Sequence, residues 1–151
     1  VVREAQRRAL AVANTAMVQA IDVGERDNIH PKNKREVGRR LALAARATVY
    51  GERVEYSGPL FRRITQDGAA LRVWFDHAGG LTGRGGDLQG FEVAGKDRVW
   101  SAASARIDGA TVLVSNPAVP KPLYVRYGWA NFPEGNLFNA DGLPAAPFRS
   151  E

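Results

Sequence analysis

MVQAIDV (17–23) is a short, mostly apolar run with β-branched residues, followed by GERDNIH (24–30), PKNKREVGRRLALAARATVY (31–50) and Gly51. A run of this texture suits a strand covered on both faces. Gly24 ends it, a loop follows, and Pro31 suits the first turn of a helix that runs to about Tyr50 and stops at Gly51. Upstream, REAQRRALAVA (3–13) reads as a helix: Ala5, Ala9, Leu10 and Ala13 share a face, while Arg3, Arg7 and Arg8 point elsewhere. The order is helix, strand, loop, helix. A lone buried strand leaves N–H and C=O groups unpaired on both edges, at roughly 1–3 kcal/mol for each buried group. Residues 1–51 therefore read as the last α-β-α unit of an α/β parallel sheet, incomplete alone, with the other strands on polypeptide outside this sequence. The expectation is a chain cut from a longer protein.

The texture changes at residue 51. Only 2 of the 16 glycines and 1 of the 8 prolines precede it. FRRIT (61–65) and LRVWFD (71–76) flank Gln66-Asp67-Gly68, and ASARI (103–107) and TVLVS (111–115) flank Asp108-Gly109. Both pairs read as hairpins. Leu71, Val73 and Phe75 fall on one face of the second run, and Arg72, Trp74 and Asp76 on the other. Phe91-Glu92-Val93 and LYVRY (123–127) add strands, so an antiparallel β-sandwich-like domain is expected over 54–151, after a helical segment at 1–53.

Composition excludes several classes of function. Of 151 residues, none is Cys and two are His, which removes disulfides, thiolate metal sites and Cys nucleophiles. No apolar run is long enough to cross a membrane. The net charge of +5 lies wholly in residues 1–53, which hold 11 Lys/Arg against 6 Asp/Glu. A basic excess suggests nucleic acid. Here Arg35, Arg39 and Arg46 read instead as the solvated side of a helix whose other side carries Val37, Leu41, Ala44, Ala45 and Thr48, with no aromatics interleaved for base stacking. Neither a nucleic-acid partner nor a membrane is expected.

Among motifs, HAGGLTGRGG (77–86) misses both phosphate-loop and dinucleotide spacings and reads as a mobile loop between strands. Asp27-Asn28-Ile29-His30 is the best chemical candidate, on the loop leaving a strand's C-terminal end, where open α/β sheets place ligands. A carboxylate three residues before an imidazole can fold back onto one ring nitrogen and leave the other free to accept a proton. The competing reading makes Asp27 or Asn28 a helix cap and His30 a first-turn residue. His77, after Asp76, reads as a hydrogen-bonded loop histidine. The aromatics Tyr124, Tyr127, Trp129, Phe132, Phe138 and Phe148 read as core or docking residues.

Residues 21–51, IDVGERDNIHPKNKREVGRRLALAARATVYG, resemble the end of the catalytic domain in the sialate O-acetylesterase family of SGNH-type serine esterases. SGPLFRRI (57–64), FDHAGGL (75–81), DLQGFEVAG (87–95) and VRYGWANFPEGNLFNADGLPAAPFR (125–149) resemble that family's C-terminal β region. The resemblance implies removal of O-acetyl groups from carbohydrates, of the sialate or plant-wall type, by a Ser-His-Asp mechanism with no metal or organic cofactor. It implies His30 as the acid-base and Asp27 as its orienting carboxylate, with Asp22 as a fallback. It also implies a secreted or periplasmic setting. That family's nucleophile sits in a Gln-Ser-Asn-Met-like stretch, and Ser57, Ser101, Ser104, Ser115 and Ser150 lie in no such setting. The expected partners are an N-terminal segment or chain carrying the serine, and an acetylated carbohydrate; alone, the chain is expected to be inactive. The runner-up is a non-catalytic carbohydrate-binding β module with a helical remnant, favoured if Trp74 or Trp129 forms an exposed flat platform.

Overall fold

The computed structural model describes residues 2–151. Helix α1 spans Val2–Arg8 and tightens into a 3-10 turn at Ala9–Ala11; helix α2 spans Lys34–Thr48. Ten strands follow: β1 Leu60–Asp67, β2 Ala70–Asp76, β3 Thr82–Gly83, β4 Phe91–Ala94, β5 Ser101–Ala102, β6 Ser104–Asp108, β7 Thr111–Ser115, β8 Tyr124–Tyr127, β9 Leu137–Phe138 and β10 Phe148–Arg149.

All strand pairs are antiparallel. One four-stranded sheet has the order β1-β2-β7-β6, a second has β10-β8-β4-β5, and β3 pairs with β9 apart from both. The two expected hairpins form as β1–β2 and β6–β7. The alternation along β2 decides which face is inside: Leu71, Val73 and Phe75 are buried, as are Val112 and Val114 beside them on β7. From the second sheet, Phe91, Val93, Val125, Tyr127 and Phe148 enter the same core. Its centre is aromatic. Phe61 stacks on Phe148 with ring centroids 4.5 Å apart, and Phe91 and Tyr127 lie 4.6 Å apart. Burial pushes the Tyr127 phenol up to about 12, and its oxygen accepts the Leu137 N–H at 3.0 Å.

Segments 55–59, 77–80 and 139–145 close the body without regular structure. Buried Asn139 donates to the Ser57 and His77 carbonyls at 2.9 and 3.2 Å, and its side-chain oxygen accepts the Leu143 N–H at 3.0 Å. One side chain thereby satisfies three backbone groups that no ladder reaches. The glycine-rich 77–86 stretch, expected as a mobile loop, contributes β3 and places Arg84 3.7 Å from the Phe138 ring centroid.

The helical part departs from expectation in three ways. Residues 17–23 form no strand: among the described residues nothing ladders with them, and they run extended into a turn at Ile21-Asp22. The first helix is cut short, with Asn14 in the left-handed region at φ 60. The buried stripe of α2 is also rotated from the one expected. Arg40 and Ala44 are buried, whereas Leu41 is 55% exposed and Thr48 lies at the surface. A charged residue replaces the apolar one because Arg40 has buried oxygens to satisfy.

Candidate active-site loop

The Arg40 side chain is 3% exposed and reaches across to the 17–23 run. Its guanidinium donates to both Asp22 carboxylate oxygens at 2.6 and 2.7 Å, to the Gln19 carbonyl, and to Glu36 at 2.8 Å. Bidentate charge-assisted bonds of this kind are strong and directional. Here they hold α2 against the run in place of a β-ladder. Glu36 also accepts two bonds from Arg39 at 2.8 and 2.9 Å; these, with Arg40, hold its carboxyl down at about 2. Arg46 pairs with Glu52, so three of the arginines on α2 are matched by carboxylates.

Between the run and α2, the 24–33 loop folds on its own side chains. Glu25 accepts the Lys32 N–H at 3.0 Å and the Asn28 amide at 3.3 Å, and Asn28 accepts the His30 N–H at 2.9 Å. The cap of α2 is Asn33, which accepts the Glu36 N–H at 3.1 Å. Neither Asp27 nor Asn28 caps the helix, because the helix begins at Lys34 and not at Pro31.

Asp27 and His30 share this exposed loop, and no hydrogen bond joins them. The His30 ring makes no hydrogen bond within the described residues and is open to a partner. Asp22, the fallback partner of His30, accepts both its hydrogen bonds from Arg40 and none from His30. His77 is the hydrogen-bonded loop histidine expected. Its Nδ1 lies 2.8 Å from Glu55, its ring meets Tyr56 edge-on at 5.1 Å, and its φ is 57.

A groove of about 990 Å3 opens beside the loop, between the Thr15–Ile21 run, Asp27–Ile29 and Asn131–Pro133. None of the five serines lines it. Arg26, next to Asp27, ion-pairs with Glu134 at 2.9 Å and lies 4.7 Å from the Phe132 ring centroid. Arg3 of α1 donates to the Ala130 and Asn131 carbonyls at 2.8 and 2.9 Å. The β-region segment 130–134 thus grips both α1 and the site loop. Sequence reasoning missed Arg26, Arg40, Glu55 and Asn139; only the isolated Phe132, read as core or docking, pointed to this contact. Among the described residues no cluster of His, Asp or Glu is placed to hold a metal ion, and no helix is long and apolar enough to cross a membrane.

The fold is shared with a carbohydrate acetylesterase. The crystal structure of such an enzyme from Xanthomonas citri superposes with a TM-score of 0.92 at 46% identity, covering 97% of this chain and 34% of that one. The chain is also 31% identical over 152 residues to the sialate O-acetylesterase of Mus musculus, covering 89% of this chain and 28% of the relative. A stretch of 56 residues is 45% identical to the Homo sapiens sialate O-acetylesterase. No protein-family model matches. The chain belongs to the sialate O-acetylesterase family. It spans about a third or less of the length of these relatives.

Proposed function

We propose that this chain is the C-terminal part of a secreted or periplasmic carbohydrate O-acetylesterase and supplies the acid-base half of its active site. The helical part would complete an SGNH-type sheet whose other strands, and whose nucleophilic serine, lie outside residues 1–151. The unladdered 17–23 run would join that sheet. Exposed Ile29, Leu41, Val49 and Tyr50 would pack against the same polypeptide.

The reaction is acyl transfer in two steps. The serine oxygen attacks the acetyl carbonyl carbon while a His30 ring nitrogen takes the hydroxyl proton. The tetrahedral oxyanion collapses, the C–O bond to the sugar breaks, and His30 returns the proton to the leaving sugar oxygen. Water repeats the sequence on the acetyl-serine and releases acetate. Asp27 orients the ring and stabilises its charged form, a bond made when the loop tightens in the complete site, as apo catalytic hydrogen bonds commonly do.

The observation that carries this reading is the exposed, unbonded His30 imidazole on a self-bonded loop beside a groove, in a chain of this family. Labelling the full-length enzyme with a fluorophosphonate tests it. The expected product is one labelled serine outside residues 1–151, with labelling lost in His30→Ala. Modification of Ser57, Ser101, Ser104, Ser115 or Ser150, or labelling indifferent to His30, contradicts it.

A further inference from the structure

A second groove of about 640 Å3 lies between α1 and the turn that leaves β8. Small-molecule sites run from about 300 to 1,000 Å3. Its walls are the half-buried Trp129, Pro147 and residues 130–131, with Val2, Arg3 and Gln6 of α1 opposite. Arg3, Gln6 and Asn131 line both this groove and the one that carries Asp27; His30 lines neither.

The seat of Trp129 is rigid. Gly128 turns the chain in the left-handed region at φ 59, and a Cβ there would meet Pro147 at 3.3 Å and Pro133 at 3.5 Å. Gly128 also donates to the Gly90 carbonyl at 2.9 Å. The chemistry on offer is an aromatic face, the indole N–H and the two primary amides of Gln6 and Asn131, none of them hydrogen-bonded within the described residues. Of the nearby charges, Arg149, 6.0 Å from the indole, pairs with Glu151 at 2.6 Å, while Arg3 bonds to the neutral Ala130 and Asn131 carbonyls and keeps its charge. Trp74 offers no such face, because Arg63 lies 4.4 Å over its ring and its N–H donates to Thr65.

A flat apolar ring flanked by neutral donors and acceptors matches a pyranose, which presents C–H groups on one face and hydroxyls at its edge. We propose that the Trp129 groove is a subsite for a sugar unit of the acetylated glycan other than the one whose ester is cleaved at the His30 loop. The proposal rests on the esterase reading above and makes the substrate an oligosaccharide.

The test uses the full-length enzyme with Trp129→Ala and, separately, Gln6→Ala on the exposed side of α1. Each is assayed on chemically acetylated xylotetraose and on 4-nitrophenyl acetate. For Trp129→Ala the expected loss of kcat/KM on the tetraose is about tenfold, carried in KM, with the aryl ester changed less than about twofold. Gln6→Ala is expected to show the same selectivity at about threefold. Selective loss in either variant supports the subsite; proportional loss, or no loss, in both overturns it. His30→Ala assayed alongside separates the two claims, since retained aryl ester hydrolysis there sinks the esterase reading whatever Trp129 does.

Discussion

His30→Ala is expected to lower kcat for acetyl ester hydrolysis by the full-length enzyme by about 10⁴- to 10⁶-fold. At about 1.4 kcal/mol per factor of ten, that is roughly 5–8 kcal/mol of lost transition-state stabilisation. Without the imidazole the serine hydroxyl has no base to take its proton, and the departing sugar oxygen has no acid. The structure makes this variant clean. The His30 ring is exposed and bonds to nothing in the chain, while the loop is held by Glu25, by the Asn28 side chain on the His30 backbone N–H, and by Arg26 on Glu134. Truncating a side chain of that kind changes stability by about 0.5 kcal/mol or less. Steady-state kinetics beside a denaturation midpoint therefore separates chemistry from folding. A loss below about tenfold with the fold intact removes His30 from the reaction.

Gly58→Ala is expected to cost about 3 kcal/mol or more of stability, the largest structural effect in the β region. An added Cβ would stand 1.9 Å from the Pro144 carbonyl oxygen and 2.9 Å from that of Leu143. Both are backbone atoms, so no rotamer change relieves the contact. The segments that flank it cannot separate freely, because Ala146 donates to the Pro59 carbonyl and Asn139 to that of Ser57. Gly38 on α2 is the matched control. Nothing lies within 4 Å of a Cβ there, and Gly38→Ala stabilises by about 0.5–1 kcal/mol through helix propensity alone. Denaturation midpoints of opposite sign are the expected result; a Gly58→Ala protein as stable as the parent would mean that segments 57–59 and 143–146 are not packed as described.

The β region was legible because its signals are local. Asp-Gly turns and strict alternation placed both hairpins and chose the buried face of β2. Of the second sheet, β4 and β8 were found, while the two-residue strands β5 and β10 and the strand order were not: β8 pairs with β4 across about thirty residues, and no turn chemistry encodes that partnership. The helical part was less legible for a related reason. MVQAIDV has a strand's composition, but a strand is defined by what it pairs with, and within residues 2–151 Arg40 holds the run at the Gln19 carbonyl and the Asp22 side chain. That contact joins residues 18 and 21 apart in sequence, so periodicity assigned the buried position to Leu41. The candidate loop was singled out by its residue types and by the family resemblance. Its support was invisible: Arg26 reaches Glu134 across 108 residues, and nothing in either neighbourhood marks the pair.

Catalysis as proposed requires that His30 meet a serine from outside this stretch of chain. The most direct measurement is a crystal structure of the full-length enzyme with its nucleophile phosphonylated. The prediction is a His30 ring nitrogen within about 2.6–3.2 Å of the modified serine oxygen or the leaving-group position, with residues 17–23 paired into a parallel sheet. A His30 ring more than about 6 Å away, beyond the reach of one bridging water, with another histidine in its place, would contradict it.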